Sequence, residues 1–198
     1  MAIHIIDFDE VIFPFNENAF LFISQRLGRE NTLKDYPQHK IFDYHVFTNF
    51  FNISDEQVFS LFTEFMYSPK HLNAPPIPGS INGLRTLINR GEQPIIGTAR
   101  FDLEKQSIID YFKKHAPDLS DKIQVYTLGQ GASKVEFATK MGAKSLVDDH
   151  PKNLNLNGYA YVIDGYIFTT KWNKHLKDYE LPKGVKRINN WKDLLNKI

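Results

Sequence analysis

Short apolar runs without helical periodicity alternate along the chain with amphipathic segments, and this alternation is the strongest constraint on the fold. Such an alternation predicts an α/β fold with a Rossmann-like, mostly parallel sheet. The strand-like runs are IHIIDF (3–8), PIIGTAR (94–100), KIQVYTLG (122–129) and AKSLVDDHP (143–151), with YAYVIDG (159–165) and YIFTT (166–170) as further strands. The helical segments are INGLRTLINRG (81–91), FDLEKQSIIDYFKKHAP (101–117), ASKVEFATKMG (132–142) and the closing NWKDLLNKI (190–198).

Residues 16–75 interrupt the connection between the first strand and its helix. Ser54 with Gln57 three residues later predicts a capping box at the start of one helix in this region. A structureless loop of this length is uncommon, so we predict a small helical cap domain at 16–75 and a core domain built from 1–15 and 76–198. The helical segments of the cap are NENAFLFISQRLG (16–28), KIFDYHVFTNFF (40–51) and SDEQVFSLFTEFMYS (54–68), and the stiff NAPPIPGS (73–80) marks its end.

Charge and composition narrow the function classes. Lys and Arg number 24 against 23 Asp and Glu, so the chain has no basic field for a long nucleic acid, and a small anionic ligand is the better expectation. With no cysteine, disulfides, thiolate metal sites and cysteine nucleophiles are excluded. The N-terminal apolar run is short and carries Asp7 and Asp9, unlike a signal peptide, and no apolar run reaches the roughly 18 residues of a membrane span. We therefore expect a cytoplasmic protein.

Acidic and polar side chains are concentrated at the predicted strand ends. Ligands of an open parallel sheet bind beyond the carboxyl ends of its strands, so neighbouring strands would bring these groups to one point. Unpaired, the carboxylates would repel one another, and a divalent cation would offset that cost; oxygen ligands suit Mg²⁺. The groups are Asp7 and Asp9 after the first strand, Thr98 at the end of the second, Asp148 and Asp149 at the end of the fourth, and Lys134 near the start of the helix after the third.

The Asp-x-Asp spacing predicts two roles for two acids. A strand end can turn, so Asp7 can present its carboxylate to a metal and a substrate. Asp9 can bind the metal through its backbone carbonyl and keep its side chain for proton transfer. One acid then acts as a nucleophile and the other as a general acid/base.

These motifs, in this order, resemble those of the haloacid dehalogenase superfamily of phosphohydrolases. The resemblance rests on the strand ending Asp7-Phe8-Asp9, the strand ending in Thr98, the helix-start Lys134 and the strand ending Asp148-Asp149. The stretch PGSINGLRTLINRGEQPIIGTAR (78–100) is similar to the family's approach to its second motif. The segment at 16–75 lies where the superfamily places its first type of cap.

The resemblance implies a mechanism. Asp7 attacks a phosphomonoester to form an aspartyl-phosphate, and Asp9 protonates the leaving alkoxide and later accepts a proton from water. Mg²⁺ is bound by Asp7, the Asp9 carbonyl and Asp148, with Asp149 orienting metal-bound water. The substrate contacts implied are Thr98, Ala99, Arg100 and Lys134.

A narrower resemblance concerns the 5′(3′)-deoxyribonucleotidases. It rests on LVDDHPKN (146–153) and IFTTKWNKHL (167–176), and it implies nucleoside monophosphates as substrates. Glu10, where the family has Gly or Thr, and His150, where it has Arg, depart from the pattern, and Glu10 adds an acid beside the site. In that family cap aromatics stack on the base; the candidates here are Phe15, Phe20, Phe42, Tyr44, Phe47, Phe50 and Phe51.

Other functions stay open at this point. A phosphatase of sugar phosphates or other small phosphomonoesters has the same motifs. A non-catalytic nucleotide-binding module would keep the fold, although both acids of the first motif are present. A response-regulator receiver is disfavoured because its acid pair comes first, whereas here the Asp-Asp pair comes last. A homodimer is also left open.

Overall fold

The computed structural model of the protein describes residues 1–36, 45–159 and 162–198. Six parallel strands form one sheet in the order β3-β2-β1-β4-β5-β6. The predicted α/β fold with a parallel sheet is thereby confirmed. The strands are β1 (Ile3–Ile6), β2 (Gln93–Thr98), β3 (Gln124–Thr127), β4 (Ser145–Asp148), β5 (Asp164–Phe168) and β6 (Val185–Ile188).

Helices connect the strands and flank the sheet. Four of them, α1 (Phe15–Arg26), α2 (His45–Phe51), α3 (Asp55–Met66) and α4 (Pro69–Asn73), lie between β1 and the next helix, in the segment predicted as a cap. No helix in the described part of the chain is long and apolar enough to cross a membrane. The other helices are α5 (Ser80–Asn89), α6 (Lys105–His115), α7 (Lys134–Lys140) and α8 (Trp191–Leu195), and short 3₁₀ turns occupy Asp102–Glu104, Pro151–Leu154 and Asp178–Glu180.

Local sequence signals account for several helix ends. The Ser54 side chain accepts a hydrogen bond from the Gln57 N–H, and the Gln57 side chain accepts one from the Ser54 N–H, so the predicted capping box is confirmed. Gly91 follows α5 with φ +74°, a left-handed conformation that glycine adopts without strain. Of the helix predicted over 40–51, residues 40–44 lie outside the described part.

The C-terminal strands differ from the prediction. One strand, β5, replaces the two expected over 159–165 and 166–170, and of these residues Ala160 and Tyr161 are outside the described part. The sequence also failed to indicate β6. Its residues VKRI are partly exposed and two of the four are basic, which is typical of a short strand at a sheet edge and gives no apolar run to recognise.

Both faces of the sheet are buried. Ile6 of β1 packs into one apolar cluster with residues of α1, α2, α3, α5, α6 and α8, whereas its neighbour Ile5 packs into a second cluster with residues of α7. This follows from the alternation of side chains along a strand and explains the continuous apolar runs. The first cluster continues from the sheet to Phe20 and Phe51 among α1–α4, and the division into a core and a cap remains a prediction.

Candidate active site

The strand order places the predicted site residues around the end of β1. This strand lies between β2 and β4, and the Asp7 N–H donates to the Val147 carbonyl at 2.9 Å, extending the parallel pairing by one residue. Thr98 is the last residue of β2 and Asp148 the last of β4. Asp7 therefore emerges between the ends of its two neighbouring strands, which is the arrangement expected from the sequence.

Lys134 joins two of the carboxylates. Its Nζ lies 2.8 Å from Asp7 Oδ2 and 2.6 Å from Asp148 Oδ2, and all three side chains are buried. Lys134 is the first residue of α7, whose N-cap Ser133 accepts from the Glu136 N–H. Burial alone would lower the pKa of Lys134, but the two carboxylates outweigh it and raise that pKa above the ordinary value. The two carboxylates therefore favour the charged form of the lysine that lies between them.

Three carboxylates form a cluster that could hold a metal ion. One oxygen from each of Asp7, Asp148 and Asp149 lies within 4.8 Å of the others, and all three residues are buried. Burial raises the pKa of Asp7 and of Asp149 well above the ordinary range, and the neighbouring carboxylates add to the shift. The single positive charge of Lys134 does not cancel the repulsion among three buried carboxylates. Such a set of oxygen atoms fits a hard divalent cation.

Hydrogen bonds from three further residues hold Asp148 and the backbone of Asp149 in place. Asp148 Oδ1 accepts from the His150 N–H at 2.8 Å and from Asn153 Nδ2 at 3.0 Å. The buried Asn173 donates through Nδ2 to the backbone carbonyls of Asp149 and Phe168. Both asparagines fall within the two stretches that resemble the deoxyribonucleotidases, and that resemblance was the one signal that could have identified them.

Asp9 lies apart from the carboxylate cluster and contacts Arg100 instead. Arg100 Nε donates to Asp9 Oδ2 at 2.9 Å, and Arg100 Nη2 donates to Asp9 Oδ1 at 2.7 Å. The Arg100 N–H also donates to Thr98 Oγ1 at 3.3 Å. A substrate contact by Arg100 stays a prediction, as do those by Thr98, Ala99 and Lys134. The ion pair that the structure describes for the guanidinium is with Asp9, the second acid of the Asp-x-Asp motif.

Glu10 faces the first helix. Its Oε1 accepts from the Asn16 N–H at 2.7 Å, in the first turn of α1, where backbone N–H groups lack helical partners. Its backbone has φ +60°, an uncommon conformation for a residue with a side chain. Burial raises the pKa of Glu10 to about 8, although the Asn16 N–H opposes the shift. The residue that departs from the family pattern thus links the strand end to α1.

The described candidates for base stacking pack against one another and against other aromatic side chains. Phe20 contacts the rings of Tyr36, Phe50 and Phe51, with ring centroids 5.2–5.3 Å apart. Phe15, Phe20, Phe47 and Phe51 are buried, and Phe50 is partly buried. Phe42 and Tyr44 lie outside the described residues. The role of these rings in stacking on a base remains a prediction.

Comparisons with known proteins agree with this fold. No family model and no curated protein matches the chain, but solved structures do. A Bacteroides fragilis protein named as a haloacid dehalogenase-like hydrolase matches with a TM-score of 0.63 at 14% identity, over 98% of this chain and 99% of that one. A HAD hydrolase of family IA from Entamoeba histolytica gives 0.59 at 17% identity, over 100% and 95%.

A third solved structure is a Lactobacillus delbrueckii protein named for phosphoglycolate phosphatase. It matches with a TM-score of 0.64 at 11% identity, over 100% of this chain and 97% of that one. At such identities the comparisons concern the fold alone: the chain has the fold of haloacid dehalogenase-like hydrolases, as the order of its motifs predicted.

Proposed function

We propose that the protein is a Mg²⁺-dependent hydrolase of small phosphomonoesters that acts through an aspartyl-phosphate on Asp7. The observation that carries the proposal is the buried group at the ends of β1 and β4, in which Lys134 bridges Asp7 and Asp148 while Asp149 completes a cluster of three carboxylates. A strand-end cluster of this kind suits phosphoryl transfer, in which charge stabilisation supplies most of the catalysis.

Asp7 is the proposed nucleophile because its carboxylate is held in one orientation. Its Oδ1 accepts from the Phe8 N–H at 2.8 Å and its Oδ2 contacts Lys134. In the first step a bond forms between a carboxylate oxygen and phosphorus, and the ester P–O bond breaks. In the second step a water oxygen attacks phosphorus and the acyl-phosphate P–O bond breaks, which regenerates Asp7 and releases phosphate.

Asp9 is the proposed general acid and base. It gives a proton to the leaving alkoxide in the first step and takes one from the attacking water in the second. Thr98 would donate its hydroxyl to a phosphoryl oxygen, the Ala99 N–H would donate alongside it, and Lys134 would offset negative charge on the phosphoryl group and Asp7. Removal of one such donor typically costs about 100- to 1,000-fold in rate.

The carboxylate cluster would hold the cation through Asp7, Asp148 and Asp149, with the Asp9 backbone carbonyl as a further ligand. Bound there, Mg²⁺ would neutralise charge on the phosphoryl oxygens during transfer. Asn153 and Lys134 both contact Asp148 and therefore orient a ligand of the cation.

Two substrate classes are compatible with the proposed reaction. The resemblance at 146–153 and 167–176 supports nucleoside monophosphates. The packing of the described cap aromatics against other aromatic side chains, and the name of the Lactobacillus delbrueckii neighbour, favour phosphate esters smaller than nucleotides. Sugar phosphates are one class of such esters. A non-catalytic nucleotide-binding module is the remaining alternative, and it would bind nucleotide without turnover.

The experiment is a phosphate-release assay on deoxynucleoside and ribonucleoside monophosphates and sugar phosphates, with Mg²⁺ and with EDTA. We expect Mg²⁺-dependent release that disappears in Asp7→Asn and persists in Asp121→Asn, an exposed acid distant in sequence from the motifs. Release that survives Asp7→Asn would refute the assigned nucleophile. Nucleotide binding with no release from any ester would support the binding module.

A further inference from the structure

Asp9 and Arg100 form an ion pair that the proposed reaction does not use directly. The inference drawn from this pair rests on the proposed function. We infer that Arg100 is a positioning residue for Asp9: its guanidinium holds the Asp9 carboxyl group in the orientation from which, in its protonated form, it gives a proton to the leaving alkoxide. Both oxygens of Asp9 are engaged, one by Nε and the other by Nη2, at 2.9 and 2.7 Å. Two parallel hydrogen bonds fix a carboxylate more narrowly than one contact does.

Arg100 is itself held on every side. Its side chain is 4% exposed, whereas that of Asp9 is 25% exposed, so the carboxylate is the open end of the pair. The Cζ atom lies 4.9 Å from the ring centre of Phe8 and 5.6–5.8 Å from those of Phe13 and Phe15. These rings restrict the guanidinium by packing and by cation–π attraction.

Two further donors of Arg100 also have partners. Nη1 donates to Ser107 Oγ at 3.0 Å, and Nη2 lies 3.2 Å from His71 Nε2. Burial, and then the charge of Arg100, lower the pKa of His71 to about 2, so this imidazole is neutral and Nε2 can accept. Ser107 lies on α6 and His71 on α4, so two helices support the guanidinium from different parts of the chain.

A buried arginine needs an anion, and this one has a specific partner. Among the residues that the structure describes, Asp9 is the carboxylate that forms an ion pair with Arg100. The guanidinium is therefore oriented toward the carboxyl group of Asp9, and we assign it to that residue rather than to the phosphoryl group of the substrate. An arginine that bound substrate phosphate instead would have to release one or both of its hydrogen bonds to Asp9.

The test uses the dependence of the rate on the leaving group. An alkyl phosphate expels an alkoxide that needs a proton, whereas p-nitrophenyl phosphate expels a phenolate that is stable without one. General acid catalysis is typically worth about 100- to 10,000-fold. We expect Arg100→Met to lower kcat/KM, which reports the step that expels the leaving group, by about 100-fold or more on the best alkyl ester from the substrate assay and by less than about 10-fold on p-nitrophenyl phosphate.

Three further variants define the mechanism. Asp9→Asn should show the same split between the two substrates, and Asp9→Asn/Arg100→Met should lose no more than Asp9→Asn alone, because the two residues act as a unit. Arg100→Lys keeps the charge but cannot form the two parallel hydrogen bonds to Asp9. It should therefore also lose more activity on the alkyl ester than on p-nitrophenyl phosphate, and it replaces Arg100→Met if that variant does not fold. Arg85→Met is the matched control: it removes an exposed two-bond pair with Asp118 and should change neither rate.

The outcomes separate the two proposals. Equal losses on both substrates, additive losses in the double variant, or wild-type behaviour of Arg100→Lys would overturn the positioning role alone. A rise in KM with little change in kcat would mean that Arg100 binds substrate, which also overturns it. If the wild-type protein hydrolyses neither ester with Mg²⁺ present, the proposed function itself fails.

Discussion

Single residues at the end of β1 are held by different partners, and these partners suggest their roles. Asp7 contacts Lys134, Asp9 contacts Arg100, and Glu10 accepts from the N–H of Asn16. The three acids lie within four residues of one another, yet Asp7 belongs to the carboxylate cluster, Asp9 contacts a guanidinium and Glu10 contacts the first turn of α1. Proximity in sequence is converted into three separate environments by the turn that follows the strand.

Glu10 should make stability depend on pH. Its pKa is about 8 in the folded protein, above the ordinary value of about 4.3 in an unfolded chain. The folded state therefore binds more protons than the unfolded state between these values, and its stability falls as pH rises through this interval, by at most about 1.4 kcal/mol per pH unit. Glu10→Gln keeps an acceptor for the Asn16 N–H and cannot ionise.

We expect the free energy of unfolding of Glu10→Gln, relative to wild type, to increase from pH 5 to pH 8 and then level off, measured by urea denaturation. The control is Glu30→Gln at an exposed position, for which the difference from wild type should stay constant. A constant difference for Glu10→Gln would contradict the environment described for this carboxyl.

The residues that meet at the strand ends could be predicted, but the contacts that hold Asp9 could not. Asp7, Thr98, Asp148 and Asp149 follow recognisable strands, and parallel strand ends meet at one edge. The Asp9–Arg100 contact spans 91 residues, and His71 reaches Arg100 from a helix 29 residues earlier. No period or motif encodes such a meeting, because it depends on how α4 and α6 pack beside the strand ends.

At the scale of elements, α5 and α8 meet through a glycine. A Cβ placed on Gly83 would lie 2.1 Å from Trp191 Cε3, so the indole of α8 packs directly on the backbone of α5. The Trp191 Nε1–H donates to the Val11 carbonyl at 2.9 Å, which ties α8 to the segment after β1. Helix α8 thus contacts the segment after β1 that follows Asp9 and Glu10, and it restricts the position of that segment.

Gly83→Ala tests this contact. Alanine normally stabilises a helix interior by about 1 kcal/mol relative to glycine, but here overpacking should outweigh that gain and lower the free energy of unfolding by about 1–3 kcal/mol. Urea denaturation measures the change. Thr86→Ala, at a partly exposed site on the same helix, should change stability little. A Gly83→Ala protein more stable than wild type would contradict the packing described.

Sequence patterns predicted the buried central strands and missed two short elements that contain no apolar run. The central strands β1, β2 and β4 are buried apolar runs, and each was predicted. Edge strand β6 has no such run, and α4, five residues long, begins at Ser68-Pro69 next to the proline-rich stretch. Both depend on neighbouring elements for their stability rather than on a pattern of their own.

For the whole molecule, buried charge at the strand ends should couple stability to the cation. A ligand that binds only the folded state stabilises it by about 2.7 kcal/mol at 100 times its dissociation constant. We expect Mg²⁺ to raise the free energy of unfolding of the wild-type protein by this order and EDTA to reverse the gain.

Asp148→Asn and Asp149→Asn should each lose most of the Mg²⁺-dependent gain, because each removes one carboxylate from the cluster. Asp121→Asn should keep it in full. Thermal and urea denaturation with and without Mg²⁺ provide the measurement. An equal gain in Asp148→Asn and wild type would place the cation elsewhere on the protein.

The most direct test of the account is to trap the covalent intermediate. The protein is mixed with Mg²⁺ and p-nitrophenyl phosphate, whose leaving group needs no proton from Asp9, and is quenched in acid within the steady state. Its intact mass and peptides are then measured. We expect a mass increase of one HPO₃ group on the peptide that contains Asp7, absent in Asp7→Asn and enriched in Asp9→Asn, which lacks the group that activates water for the second step. A phosphoryl group on any other residue, or substrate turnover with no phosphoenzyme in either wild type or Asp9→Asn, would contradict the assignment of Asp7 as the nucleophile.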